Sequence, residues 1–284
     1  MPPSLLITGG SGFLGRRAAD HFRSLGFSVL TPSHRELDIT NEQTLSHWFR
    51  QHRPDYVLHC AAVSDTGACE RDPQVTARIN VEGSCHLAKA AGERGARLIL
   101  CSSDQVYWGS PGPHKETEDL SPQNVYGRQK LLAETLCREH CPDTVALRLS
   151  WMYDARQLPG EHGNFLVTLT AALKDPGLPI TLPVYDRRGI TDVNAVVQDL
   201  PKTLSLPAGV YNFGSENSRD TYHTVKAVLE DLSLSEPLSR LSPNTAAFAA
   251  APRDIRMEPS KAAAFGICFP STRDSLTAAL RSIL

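Results

Sequence analysis

Residues 4 to 26, SLLITGGSGFLGRRAADHFRSLG, limit this chain's possible folds more than any other stretch. A short apolar, β-prone run from Ser4 to Thr8 ends in a glycine-rich turn. The turn opens directly into a helical pattern that Gly26 closes as a C-terminal cap. Gly10, Gly12 and Gly15 stand in G-x-G-x-x-G register, and Gly9, Gly12 and Gly15 in the variant G-x-x-G-x-x-G. A glycine pattern alone is common. One that follows the first strand and starts a helix offers unpaired backbone N–H groups and the positive helix end to a pyrophosphate. A dinucleotide site is therefore expected, with Gly9, Gly12, Phe13, Leu14 and Gly15 forming its turn. The plainer alternative is a tight strand-to-helix turn that needs glycine only for backbone conformation.

The same alternation continues along the chain. Strands are expected near 27–30, 56–62 (YVLHCAA), 97–103 (RLILCSS) and 144–150 (TVALRLS), with helices near 41–52, 74–93 and 123–139. These strands are continuously apolar, as when helices cover both faces of a parallel sheet. The fold class is thus α/β, a Rossmann-type doubly wound parallel sheet with a smaller C-terminal substrate-capping region. The dinucleotide-binding domain is expected over residues 1–150 and the substrate-binding region over 151–284, partly interleaved with the first. Helices near 163–174, 220–232 and 273–283 and a strand at VYNFGS belong to that second part. The low-complexity stretch 233–254 is expected to be a loop with a turn of helix.

Net charge excludes some partners. Of 284 residues, 29 are Lys or Arg and 31 are Asp or Glu, so the formal net charge is 29 − 31 = −2, with no block of like charges. Nucleic acid and membrane surfaces call for a clustered basic patch, so neither is an expected partner, and a small-molecule substrate is. The opening residues MPPSLLITGG show no basic region ahead of a long apolar stretch, so a cytoplasmic location is expected. Seven cysteines without a C-x-x-C pair fit reduced thiols. Cys137, His140 and Cys141 lack a fourth ligand nearby, so helix-end packing is expected there and no metal.

Two further segments carry chemistry. In SPQNVYGRQK, Ser121 and Pro122 resemble an N-cap and first helical position, which puts Tyr126 and Lys130 on one helix face. An isolated Y-x-x-x-K pair is usually an exposed surface pair. Here it follows SSDQVY, where Ser103 emerges at the carboxyl edge of the sheet, the usual ligand side of such folds. A phenol titrates near 10 and becomes a useful proton donor when a nearby cation stabilises its anion, a role expected of Lys130. The second strand ends at Thr31, without the acidic residue that commonly holds the ribose hydroxyls of NAD. Arg35 suits a 2′-phosphate, with Arg16 a second candidate, so NADPH is favoured and NADH possible, Glu36 weighing towards the latter.

TGGSGFLG, ELDIT, PDYVLHCAA, ARINVEGSCHLAKAA, SSDQVY, SPQNVYGRQKLLAE, LRLSWMY, GNFLVTL and APRDIRMEPSKAAAFGI resemble, in order, the blocks of an extended short-chain dehydrogenase/reductase of the dTDP-4-dehydrorhamnose reductase branch. The resemblance runs nearly end to end. It implies a catalytic set of Ser103, Tyr126 and Lys130, with Tyr126 and Lys130 also touching the cofactor. It further implies that Asp38 and Ile39 flank the adenine, that Ala61, Ala62 and Ser102 line the cofactor, and that Ser150 approaches the nicotinamide. Asp104, Gln105, Trp151, Arg187 and Arg253 would face the substrate, the arginines together with Arg188 meeting a diphosphate. The implied activity is NAD(P)H-dependent reduction of a carbonyl, most directly a 4-keto sugar nucleotide, and relatives of this kind are often homodimers.

Some positions depart from the branch. Gln105 stands where the reductases carry tyrosine, and DRRGITD lacks the proline of the matching reductase block. SSDQVY also resembles the block in which 4,6-dehydratases use an Asp-Glu pair, but an amide does not titrate, so Gln105 cannot be that base. A nucleotide-sugar epimerase and a natural-product ketone or imine reductase remain as alternatives. So does a non-catalytic dinucleotide-binding protein, because the regulatory subunit of methionine adenosyltransferase resembles the same branch.

Overall fold

The computed structural model describes residues 2–161 and 163–284. The chain forms two compact units. The first runs to Val106 and adds Ser121–Arg148 and Val197–Tyr211; the second comprises Tyr107–Leu120, Leu149–Val196 and Asn212–Leu284. The two units interleave along the chain: relative to bounds of 1–150 and 151–284, residues 107–120, 149–150 and 197–211 change sides. Residues 107–120 belong to the second unit, where Asn212 holds them: its side chain accepts from Tyr107 Oη at 2.6 Å and donates to the His114 carbonyl at 2.9 Å. Residues 197–211 belong to the first because they lead into the sheet's last strand.

In the first unit, β1 (Ser4–Thr8) leads to α1 (Phe13–Ser24), β2 (Ser28–Leu30), α2 (Glu42–His52) and β3 (Tyr56–His59). Short helices α3 (Thr66–Arg71) and α4 (Pro73–Ala77) follow. The helical path then widens into a π turn, Arg78–Gly83, before α5 (Ser84–Gly92), β4 (Arg97–Ser103), α6 (Val125–His140) and β5 (Thr144–Leu149). The sheet has six strands in the order Gly209–Phe213, β5, β4, β3, β1, β2. Parallel pairing joins β1 to both β2 and β3, and β3 to β4. The chain thus winds outward to β2 and returns to the far side of β1, as a doubly wound sheet requires. Such a reversal opens a crevice at the carboxyl ends of β1 and β3, where ligands of open α/β sheets bind.

Burial explains the continuous apolar strands. Leu5, Leu6 and Ile7 of β1 are fully buried, and Leu6 joins Leu45, Phe49, Val57, Leu87 and Leu98 in one core cluster. Removing such a leucine side chain typically costs about 2–5 kcal/mol, so the strands that carry the site stand on a rigid base.

Local expectations are refined at three places. The strand expected over 56–62 ends at His59, because Cys60 and Ala61 leave the ladder and donate instead to the Thr8 backbone and side chain. The helix expected over 74–93 contains the π turn, where Gly83 lets Ile39 pack so closely that a Cβ would fall 2.8 Å from it. Helix α6 begins at Val125 with Asn124 as its cap, not at Ser121 and Pro122, because the Asn124 side chain accepts from the Gly127 N–H at 2.7 Å.

The second unit packs Phe165–Lys174, Thr221–Asp231 and Thr272–Ile283 around Tyr153, Leu166, Leu169, Val228, Leu229 and Leu276. Asn164, Asp220 and Ser271 cap the three helices. Residues 233–254 carry the expected turn of helix and, beyond it, a strand that was not expected. They hold the helix Ser235–Arg240 and a strand, Leu241–Asn244, that pairs in parallel with Ile180–Pro183. Leu234, Leu238 and Leu241 reach the core from this segment, a periodicity hidden by its Ser/Pro-rich composition.

Candidate active site

The glycine turn is built backbone against backbone. Gly9 has φ +67°, and a Cβ there would lie 2.8 Å from the Ala61 nitrogen. A Cβ at Gly15 would lie 2.2 Å from the Gly9 carbonyl oxygen, and one at Gly10 would lie 2.9 Å from the Thr31 side chain. Gly12 precedes α1 as a cap without any side-chain bond to the helix start. The first N–H groups of α1 are therefore left to another acceptor, and the small residues keep the approach open, so this turn fits a dinucleotide pyrophosphate. Phe13 and Leu14 begin the helix, and the Arg17 guanidinium covers the Phe13 ring at 4.4 Å.

In the loop after β2, Arg35 is exposed. Glu36 is turned into its own loop, where its carboxylate accepts from the Ser33 N–H and hydroxyl at 2.7 Å each and is held below the usual carboxylate range by them. Arg23, which sequence reasoning missed, donates to Thr31 Oγ1 at 3.3 Å and brings another guanidinium to the strand tip. It stands eight residues beyond Gly15, about two helical turns past the motif, on the exposed face of α1. Asp38 is held ionised by the Thr40 hydroxyl and N–H at 2.8 and 2.9 Å, and Ile39 is buried.

Ala61 and Ala62 are half-buried after β3. The segment is pinned by Asn80, whose side chain accepts from the Val63 N–H at 2.8 Å and donates to the Val63 carbonyl at 3.0 Å and to Gln129 Oε1 at 2.8 Å. Asn80 is wholly buried in the π turn, a role not read from the sequence.

Ser103 ends β4, and Asp104–Tyr107 make one 3-10 turn beyond it. Ser103 Oγ donates to Asp104 Oδ1 and accepts from the Gln105 N–H, both at 3.2 Å. Tyr126 and Lys130 lie one turn apart on α6, the ammonium 5.9 Å from the phenol ring centre and donating to the Cys101 carbonyl at 2.7 Å. All three side chains are buried. Burial, then the Asp104 carboxylate, hold the Tyr126 phenol above its ordinary value, while the Ser103 hydroxyl beside it pulls the other way. Burial likewise depresses Lys130. The expected lowering of the phenol by Lys130 is thus outweighed by desolvation and a nearby carboxylate.

Three expected ligand contacts find their residues already bonded within the protein. Ser102 Oγ donates to Glu134 Oε1 at 2.5 Å, and Glu134 pairs with Arg148 at 2.8 Å. Gln105 Oε1 accepts from Asn124 Nδ2 at 2.8 Å. Arg253, in the second unit, grips Asp186 through two bonds of 2.8 and 2.9 Å and lies against the Phe248 ring. The second unit also holds Ser150, whose hydroxyl meets Thr191 Oγ1 at 2.5 Å, and Trp151, which is 37% exposed with the Arg188 guanidinium 4.9 Å over its ring. Arg187 is exposed. The thiols of Cys137 and Cys141 donate to backbone carbonyls, and among the described residues no helix is long and apolar enough to cross a membrane.

A doubly wound sheet with an open glycine turn and a buried Ser, Tyr, Lys cluster defines an extended short-chain dehydrogenase/reductase. The family model described as "RmlD substrate binding domain" matches residues 3–284, and the chain belongs to that family. A dTDP-4-dehydrorhamnose reductase from Streptomyces griseus is 32% identical over 74% of this chain and 70% of its own length. Methionine adenosyltransferase 2 subunit beta from Pongo abelii is 25% identical over 93% of this chain and 82% of its own. Among solved structures, a Bacillus anthracis dTDP-4-dehydrorhamnose reductase in complex with NADP superimposes with a TM-score of 0.84 at 22% identity, covering 99% of each chain.

Proposed function

We propose that this protein is an NAD(P)H-dependent carbonyl reductase acting on a 4-keto sugar nucleotide. The observation that carries this is the joining of Ser103, Tyr126 and Lys130 in one buried cluster on the same unit as the glycine turn. A bound nicotinamide dinucleotide supplies the hydride. The Ser103 hydroxyl, now directed at Asp104, turns to hydrogen-bond the substrate carbonyl oxygen. Tyr126 gives its Oη proton to that oxygen; burial and the Asp104 carboxylate disfavour the phenolate this leaves, so the step needs a cation beside the ring, the part given to Lys130. Lys130, fixed on the Cys101 carbonyl, keeps a positive charge beside the phenol and orients the nicotinamide ribose. Trp151, Arg187 and Arg188 offer an aromatic face and cations for a sugar and its diphosphate.

NADPH is the preferred cofactor, since Arg35 and Arg23, the latter also paired with Asp20 on α1, lie near the end of β2, where Thr31 stands in place of an acid and Glu36 is engaged elsewhere. A cytoplasmic setting suits the seven free thiols.

NADPH oxidation with a panel of 4-keto sugar nucleotides tests the proposal. Tyr126→Phe is expected to lower kcat by about 10²- to 10⁴-fold, the usual contribution of a positioned acid, with cofactor binding retained. A Phe variant as active as wild type refutes the assignment. The match to a methionine adenosyltransferase subunit supplies the rival, a regulator that would stimulate a synthetase with Tyr126 removed.

A further inference from the structure

We infer that Gln105 is a positioning residue that locks the start of the Tyr126 helix to the turn carrying Ser103, and not a substrate contact. This rests on the reductase assignment for its kinetic consequences only. Gln105 is 4% exposed and bonds in both directions. Its backbone N–H donates to Ser103 Oγ at 3.2 Å, and its side-chain oxygen accepts from Asn124 Nδ2 at 2.8 Å. Asn124 Oδ1 in turn accepts from the Gly127 N–H at 2.7 Å.

Hydrogen-bond chemistry fixes the orientation of both amides. A backbone N–H can only donate, so Asn124 must present its oxygen to Gly127 and its NH2 to Gln105. Gln105 must then answer with oxygen. Packing reinforces the link, because a Cβ on Gly127 would fall 2.4 Å from the Gln105 carbonyl oxygen, so the first turn of α6 rests directly on the 104–107 turn. Ser103 and Tyr126 are thereby held in one frame through a residue that need touch neither substrate nor cofactor.

Complementarity makes the lock testable by exchange of donors and acceptors. Gln105→Glu keeps an acceptor facing Asn124. Asn124→Asp keeps the acceptor for Gly127, and the wild-type Gln105 amide can flip to donate to it. The two changes together set one carboxyl against another, which favours a shared proton. Gln105→Ala leaves the Asn124 NH2 buried without its acceptor.

Hydrogen exchange of the 124–130 backbone, together with kcat and KM for each variant, decides the matter. Gln105→Ala is expected to speed exchange in the first turn of α6 and to lower kcat about 10- to 100-fold, as displacement of a reacting group does, with KM changed less than about threefold. The Gln105→Glu, Asn124→Asp double variant is expected to lose more than the product of its single effects and to recover activity towards pH 5. A raised KM with kcat and exchange unchanged in Gln105→Ala overturns the inference and makes Gln105 a substrate contact. Independent effects of the two carboxyl substitutions, flat with pH, also overturn it. Should no panel substrate turn over, the reductase assignment fails by itself, and the exchange rates still judge the lock.

Discussion

His59 links the site to acid stability through a single ring. It is 1% exposed at the end of β3, with Nδ1 2.6 Å from Thr8 Oγ1 and Nε2 2.8 Å from Ser84 Oγ. Burial first, then the positive Lys130, push its pKa down to about 3. The unfolded chain takes up this proton near pH 6.5 and the folded one does not, so stability is complete above that pH and falls as the solution is acidified towards 3. One such group contributes a slope of about 1.4 kcal/mol per pH unit, or roughly 2–3 kcal/mol between pH 6.5 and 4.5. Gln can bond to both hydroxyls without titrating. Urea unfolding at several pH values is expected to show His59→Gln with a slope reduced by that amount relative to wild type. Equal slopes would assign the acid sensitivity to other groups. Nothing in the sequence around residue 59 announces this, because the Thr8 and Ser84 partners lie far off along the chain.

Elements β4, α6 and β5 are joined beneath Lys130 by the buried group Ser102, Glu134 and Arg148. The side chains of Arg148 and Glu134 are 4% and 3% exposed, so removing one partner strands the other in a low-dielectric interior. Glu134→Leu is expected to destabilise the fold by about 3–5 kcal/mol, and adding Arg148→Met is expected to recover most of it, because an apolar pair removes both desolvation costs. Chemical denaturation of the single and double variants checks this, and a double variant no more stable than the single would show that the pair itself, not the orphaned charge, matters. The strand, glycine turn and helix at 4–26, and the register of Tyr126 with Lys130, could be read beforehand because each rests on spacing within a few residues. The Asn80 clamp on Val63 and the engagement of Gln105, Ser102 and Arg253 could not. Each depends on a partner brought close only by folding, such as Gln129, 49 positions from Asn80, or Asp186, 67 from Arg253. The strand Leu241–Asn244 was hidden for the same reason, since its identity comes from pairing with Ile180–Pro183.

For the molecule as a whole, the chain passes between its compact units after residues 106, 120, 148, 196 and 211. Residues 1–150 hold the glycine turn and the Ser103, Tyr126, Lys130 cluster, yet they omit material the first unit uses. Gly209–Phe213 is the sheet strand next to β5, and Val210 belongs to the same core cluster as Leu6, Leu87 and Leu98. The Arg97 guanidinium also donates to the Leu206 carbonyl. Without these residues β5, buried along its full length, becomes a bare edge with unpaired N–H and C=O groups and apolar side chains on display. Such edges recruit other strands, so a fragment of residues 1–150 is expected to associate and to lack a cooperative unfolding transition, whereas the full chain unfolds sharply. Sedimentation and thermal circular dichroism on the fragment distinguish the outcomes. A monomeric fragment with a steep transition would mean that the strand at 209–213 contributes little and that the first unit closes on its continuous part alone.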